Sequence, residues 1–183
     1  PSLDVSLHYF LSGITNVLSE SRQTTFEDLQ QSSPTLGLLA PSVLEEFYNT
    51  AIERINQWPR STREVFAWAL AMSKEYRAAG LSASQELHER HLRADMTFFS
   101  QIRGWLGGRL LRVYSVGAPL ALEVTEFLEA IGLTVLNIYN VTEAGGFPAI
   151  SRPEKSSTDS RETVRKTVRI RCIVLTLLQA AAR

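Results

Sequence analysis

A single cysteine, Cys172, leaves no partner for an internal disulfide. The fold must hold by packing and hydrogen bonds, and a reducing compartment suits it. No apolar run approaches the about 20 residues that a helix needs to cross a bilayer; the longest lies around Ile170–Leu178. Neither sign of charge is in excess, with 19 Lys and Arg against 19 Asp and Glu. A nucleic-acid partner is therefore not expected, because no domain-wide basic surface exists to release counterions. Pro1–Asp4 carries no basic residue, which a secretory leader would have. The expected compartment is the cytoplasm.

What is present is an ordinary globular composition, 44% hydrophobic and 21% charged over 183 residues, enough for one domain with a buried core. Charge is unevenly spread. Residues 151–183 hold eight Lys or Arg and three Asp or Glu, so the first 150 are net acidic. This asymmetry marks a basic tail, whose stretch Arg161–Arg171 is a candidate contact for anionic lipid at a membrane surface.

Hydrophobic spacing organises the first 150 residues. Ile14, Val17 and Leu18 suggest a short strand. Thr25, followed by Phe26, Glu27 and Asp28, reads as the start of a short helix, and Thr35–Leu39 as a buried strand. Ser42 with Glu45, and Ser61 with Glu64, have the spacing of capping boxes. The first opens a helix carrying Val43, Leu44, Phe47, Tyr48, Ala51, Ile52 and Ile55. Pro59 ends it. The second opens a helix with Val65, Trp68, Ala69, Met72 and Tyr76 on its inner face. A third carries Leu87, His91, Ala94, Phe98, Ile102 and Leu106, and stops at Gly107-Gly108. His88 and His91 stand three residues apart, as two metal ligands could, but no third ligand is placed. Trp58, Trp68, Trp105 and Phe98-Phe99 read as packing residues.

From Leu110 the pattern changes to strand, loop, helix, strand. Leu110–Ser115 is strand-like, and Ala121–Ile131 is an amphipathic helix with Leu122, Phe127, Leu128 and Ile131 inward. Leu133–Tyr139 is a second β run. Such a βαβ unit implies parallel neighbours, so the expected class is α/β, with helices packed on a mainly parallel sheet. Parallel sheets bind ligands beyond the carboxyl ends of their strands. Two loops leave such ends, Val116–Leu120 and Asn140–Gly146. The first, Ser115-Val116-Gly117-Ala118-Pro119-Leu120, has small residues that let a flat ligand approach the backbone, although a plain βα turn would look the same. The second brings Thr142 and Glu143 together ahead of Ala144-Gly145-Gly146. A hydroxyl and a carboxylate there suit a phosphate and Mg²⁺; a helix cap followed by an acid is the plainer alternative.

Taken together, Gly117-Ala118-Pro119-Leu120, the helix containing Glu123–Phe127, and Tyr139-Asn140-Val141-Thr142-Glu143 resemble consecutive motifs of the adenylate-forming superfamily. Upstream, Phe26–Gln30, Ser33-Pro34-Thr35, Ala40–Glu45, Phe99–Arg103 and Leu106–Leu110 are similar to its long-chain acyl-CoA synthetase branch. The resemblance covers about residues 8–150. It implies a partial acyl-CoA synthetase-like large domain: 1–150 a fragment of the AMP-binding (adenylation) domain, 151–183 a divergent basic tail.

The implied activity joins ATP and a long-chain fatty acid into an acyl-adenylate, which coenzyme A then attacks, releasing AMP. The implied ligands are ATP or AMP, Mg²⁺, the fatty acid and CoA. Gly117, Ala118 and Pro119 would pack on adenine, with Tyr139 stacked near the base and Asn140 beside it. Thr142 would bind the α-phosphate and Glu143 the Mg²⁺, and these two are the candidate catalytic residues. Val116 and Asn140 stand where the family usually has glycine, and Ser42 where it has arginine. No lysine-bearing phosphate loop, ribose motif or mobile C-terminal domain is included within the resemblance, so the 183 residues alone are expected to be inactive. A non-catalytic binding module keeping part of the fold is the alternative.

Overall fold

The structure, a computed structural model, describes residues 15–19, 21–116, 118–141, 146–150 and 171–174, with the backbone alone from 138 onward. The chain order is β1 (Thr15–Leu18), α1 (Thr25–Ser32), β2 (Leu36–Leu39), α2 (Pro41–Asn56), α3 (Arg60–Ala79) and α4 (Gln85–Ala94). A π-helical turn (Asp95–Phe99) leads into α5 (Ser100–Gly104). Then come β3 (Arg112–Val116), α6 (Leu122–Ala130), β4 (Thr134–Val141), β5 (Gly146–Ile150) and β6 (Arg171–Val174).

The sheet has the order β1-β6-β2-β3-β4-β5. Every neighbouring pair is parallel except β4 and β5, which form an antiparallel ladder. The fold is therefore α/β with a mainly parallel sheet, as the βαβ spacing implied. Strand β6, from the segment set apart by its basic charge, lies between β1 and β2. Part of the apolar run around Ile170–Leu178 is thus extended.

One core cluster joins the helices to the sheet. It runs from Leu29 through Leu44, Phe47, Phe66, Phe99, Ile102 and Phe127 to Leu39, Val113 and Val135 of the strands. In β3 burial alternates, with Val113 and Ser115 fully enclosed between half-buried neighbours. That is the period of a strand with one face against helices.

Several local expectations shift. Neither Ser42 nor Ser61 caps its helix. Ala40 precedes α2 with Pro41 in the first turn, and Pro59 precedes α3, neither making a side-chain cap. Proline's fixed φ suits a helix start, and each cap position lies two residues ahead of the serine. In α1 the cap position is Thr24, while Thr25 is buried and donates to the Ser21 carbonyl at 3.0 Å. The inner face of α3 is turned from the expected one: Phe66, Ala69, Met72 and Ser73 are buried, whereas Val65 and Trp68 are about half exposed. Leu122, expected inward on α6, is 73% exposed.

The third helix is not one regular rod. Its stripe Ala94, Phe98, Ile102, Leu106 repeats every four residues, and all four are buried. A regular α-helix would carry that spacing off one face; the π turn at Asp95–Phe99 absorbs the drift. Gly107 and Gly108 end the segment with φ of 88° and 74°. A Cβ on Gly107 would stand 2.4 Å from the Leu29 carbonyl oxygen, so the chain passes α1 where only glycine fits.

Candidate functional site

Strands β3 and β4 are parallel neighbours, paired from Arg112 with Thr134 to Val116 with Ile138. Both therefore point their carboxyl ends the same way. The loop after β3 leaves beside the last residues of β4, which runs on to Val141. Ala118 and Pro119 of that loop are exposed, and Leu120 returns to the core at 8% exposure. Tyr139 and Asn140 are strand residues of β4. Its ladder with β5 is irregular between Tyr139 and Val141, so Asn140 falls at a bulge. Bulges locally re-aim a strand and are common beside binding sites. Gly117, Thr142 and Glu143 lie outside the described residues.

Val116 does not need a positive φ. It ends β3 in register with Ile138, and among the described residues Ser33 alone shows a positive φ without being glycine. A β-branched side chain is at home in that strand position.

One residue earlier, Ser115 is fully buried, in register with Leu39 on one side and Asn137 on the other. Its hydroxyl has no hydrogen-bond partner among the described residues. Most buried hydroxyls in folded proteins are bonded. Ser115 is thus an exception among the described residues, one residue before β3 ends.

Helix α6, which runs from the tip of β3 back to the start of β4, is held at both ends. At its start, Ala121 supplies no side-chain cap, and its carbonyl accepts from the Thr125 amide at 3.0 Å and hydroxyl at 3.1 Å. The Tyr48 hydroxyl of α2 donates to Glu123 in the first turn, and the Tyr48 ring packs edge-on against Phe127 at 5.2 Å. Burial, then the bond and charge of Glu123, push the Tyr48 hydroxyl up to about 12. At its end, three successive carbonyls accept side-chain donors. Arg77 reaches Glu129, Ser73 reaches Ala130 and Arg103 reaches Ile131, each at 2.6 Å. Arg103 is itself gripped by both Asp95 oxygens at 2.5 and 2.9 Å. Cations at a helix C-terminus also meet its dipole favourably.

None of Tyr48, Ser73, Arg77 and Arg103 stands out in the sequence as supporting this unit. Tyr48 and Arg103 lie in recognisable stretches, but their partners are 75 and 28 residues away. The histidine pair has a packing role: His88 Nδ1 lies 2.8 Å from the Tyr76 hydroxyl, and the His91 ring stacks on Tyr76 at 4.3 Å. No group of three potential metal ligands occurs among the described residues. Trp58 and Trp105 pack against the core, whereas Trp68 lines a surface groove of about 530 Å³ with Val65, Arg93 and Phe98. That groove belongs to α3 and α4, not to the strand tips. No helix among the described residues is long and apolar enough to cross a membrane.

The family model for AMP-binding enzymes matches residues 4–175. The chain belongs to the AMP-binding enzyme family. Its relatives include the long-chain-fatty-acid–CoA ligase ACSBG2 of Mus musculus, 24% identical over 71% of this chain and 20% of that protein. Long chain acyl-CoA synthetase 3 of Arabidopsis thaliana is 26% identical over 72% of this chain and 19% of its own length. The long-chain-fatty-acid–CoA ligase FadD15 of Mycobacterium bovis is 27% identical over 81% of this chain and 25% of its own. The chain thus spans about a fifth to a quarter of the length of these relatives. No solved structure matches it significantly. The family is the one the strand-tip motifs resembled, and the relatives' names are those of the long-chain branch that the upstream stretches resembled.

Proposed function

We propose that this chain supplies the adenine and metal side of the active site of an ATP-dependent long-chain fatty acid–CoA ligase. The observation that carries the reading is the parallel pairing of β3 with β4, which sets the Ala118-Pro119 loop beside the end of the strand bearing Tyr139 and Asn140. Membership of the AMP-binding enzyme family supports it, as do relatives named as ligases of long-chain fatty acids.

In this reading, Gly117, Ala118 and Pro119 form one wall of an adenine slot, and Tyr139 with Asn140 forms the other. Small residues leave the backbone accessible to the flat base. Thr142 donates to the α-phosphate. Glu143 provides hard oxygen to Mg²⁺, whose charge, when bound, screens the phosphates. Positioning and charge screening are what a carboxylate needs to approach an α-phosphate, since both are anions. CoA and the fatty acid complete the reaction with residues beyond these 183, so pyrophosphate release by this chain alone is not expected. Contact with a membrane surface through the basic segment 161–171, on the cytoplasmic side, belongs to the same reading.

Calorimetric titration of the chain with AMP, and with ATP in the presence and absence of Mg²⁺, tests this. AMP should bind, and Mg²⁺ should tighten ATP binding in the native chain but not in Glu143→Ala. Absence of any nucleotide binding, or a Glu143→Ala loss that ignores Mg²⁺, would overturn the reading. Robust pyrophosphate release by the isolated chain with palmitate would overturn the assignment of the remaining chemistry to other residues.

A further inference from the structure

We propose that Tyr48 and Glu123 form a positioning clasp that holds the Ala118–Leu120 loop at the tip of β3, so that Tyr48, on α2, tunes nucleotide affinity without touching the nucleotide. The part concerning affinity rests on the adenine reading of that loop; the part concerning the loop's order does not.

Four observations combine. Glu123 is the second residue of α6 and stands only three residues beyond Leu120. The loop itself has little to hold it, since Ala118 and Pro119 are exposed and Leu120 alone is buried. The helix start lacks a side-chain cap at Ala121. The Tyr48 hydroxyl then reaches across from another helix to the first-turn carboxylate, while its ring is fixed against Phe127 one turn further on.

A phenol donating to a carboxylate is a charge-assisted bond, directional as well as attractive. Here it fixes where the first turn of α6 begins, and hence where the loop must end. With its ionisation pushed up to about 12, mainly by burial, the phenol remains a donor across the physiological range. The backbone of α2 gives the clasp a firm base, because Phe47 and Ala51 on either side of Tyr48 are core residues.

Two conservative variants separate this from plain packing. Tyr48→Phe keeps the ring against Phe127 and removes only the donor. Glu123→Gln keeps an acceptor, whereas Glu123→Ala does not. Hydrogen–deuterium exchange of the peptide covering 118–125 should rise about fivefold in Tyr48→Phe and Glu123→Ala, the size of one lost hydrogen bond. Peptides from α4 and α5 should be unchanged, and Glu123→Gln should restore most of the protection. AMP affinity should weaken about fivefold in the same two variants, and the double variant should be no weaker than either alone.

Unchanged exchange in 118–125 overturns the clasp whatever the chain binds. Raised exchange with unchanged affinity, in a chain that binds AMP, overturns the positioning role. If the native chain binds no AMP, the adenine reading and the affinity part of the proposal fall together, and the exchange experiment decides the clasp by itself.

Discussion

The two ends of α6 are built differently. Its C-terminal end, at the amino edge of the sheet, is bound by three side chains on three consecutive carbonyls, one from a fully buried serine and one from an arginine locked by Asp95. Among the described residues, its N-terminal end, at the carboxyl edge, takes one side-chain hydrogen bond from outside the helix, Tyr48 with Glu123, beside the packing of Val124 in the core. The same nine-residue helix is therefore anchored firmly where no ligand is expected and lightly where the candidate loops emerge. A parallel α/β sheet needs this division. One edge must fix the strand order, and the other must accommodate a ligand.

The contrast can be broken most severely at Arg103. Arg103→Ala should destabilise the chain by about 3 kcal/mol, because it strips a partly buried carboxylate of its partner and frees the Ile131 carbonyl. Denaturant unfolding followed by circular dichroism measures this. Ser73→Ala removes a neutral donor and leaves the buried Ala130 carbonyl unpaired; a loss of about 1–2 kcal/mol is expected in the same assay. Tyr48→Phe, at the other end, should cost no more than about 1 kcal/mol because its bond is exposed. A larger loss there than at Ser73 would reverse the comparison.

A smaller effect sharpens the same contrast by pH. Burial holds the His91 imidazole below its usual value, against the attraction of Asp95; His88, Arg103 and Arg77 push in the same direction as burial. In the unfolded chain the ring takes up its proton first. Its contribution to stability is therefore intact above the ordinary histidine value of about 6.5 and is lost as pH falls below it toward the folded value. The unfolding midpoint should drop modestly between pH 7.5 and 5.5, and less so in His91→Phe, which keeps a ring against Tyr76.

How much of this could be read beforehand follows from what is local. The parallel βαβ unit was legible because a strand period gives way to a helix period and back within thirty residues; the first loop follows β3 as expected, whereas Asn140, Val141 and Gly146, expected in the second, are strand residues. Helix starts were less legible. Ser42 and Ser61 have the right spacing to their glutamates, yet Pro41 and Pro59 set each boundary by backbone geometry instead. The inner face of α3 is turned by about one residue from the expected one, because Phe66 and Ser73, not Val65 and Trp68, meet the rest of the core. The four-residue stripe through Ala94, Phe98, Ile102 and Leu106 did carry a sign of the π turn, as departure from the ordinary helix period. The supports of α6 carried none. Each depends on which helices cross, and tyrosine, serine and arginine on a helix surface look alike whether or not they find a distant carbonyl.

Photolabelling with 2-azido-AMP, followed by peptide mapping, probes the strand-tip site most directly. Label should appear in the peptides spanning 117–122 and 139–146 and should vanish in excess AMP. Label concentrated on the α3–α4 groove around Trp68 and Arg93, or undiminished by AMP, would contradict an adenine seat between β3 and β4.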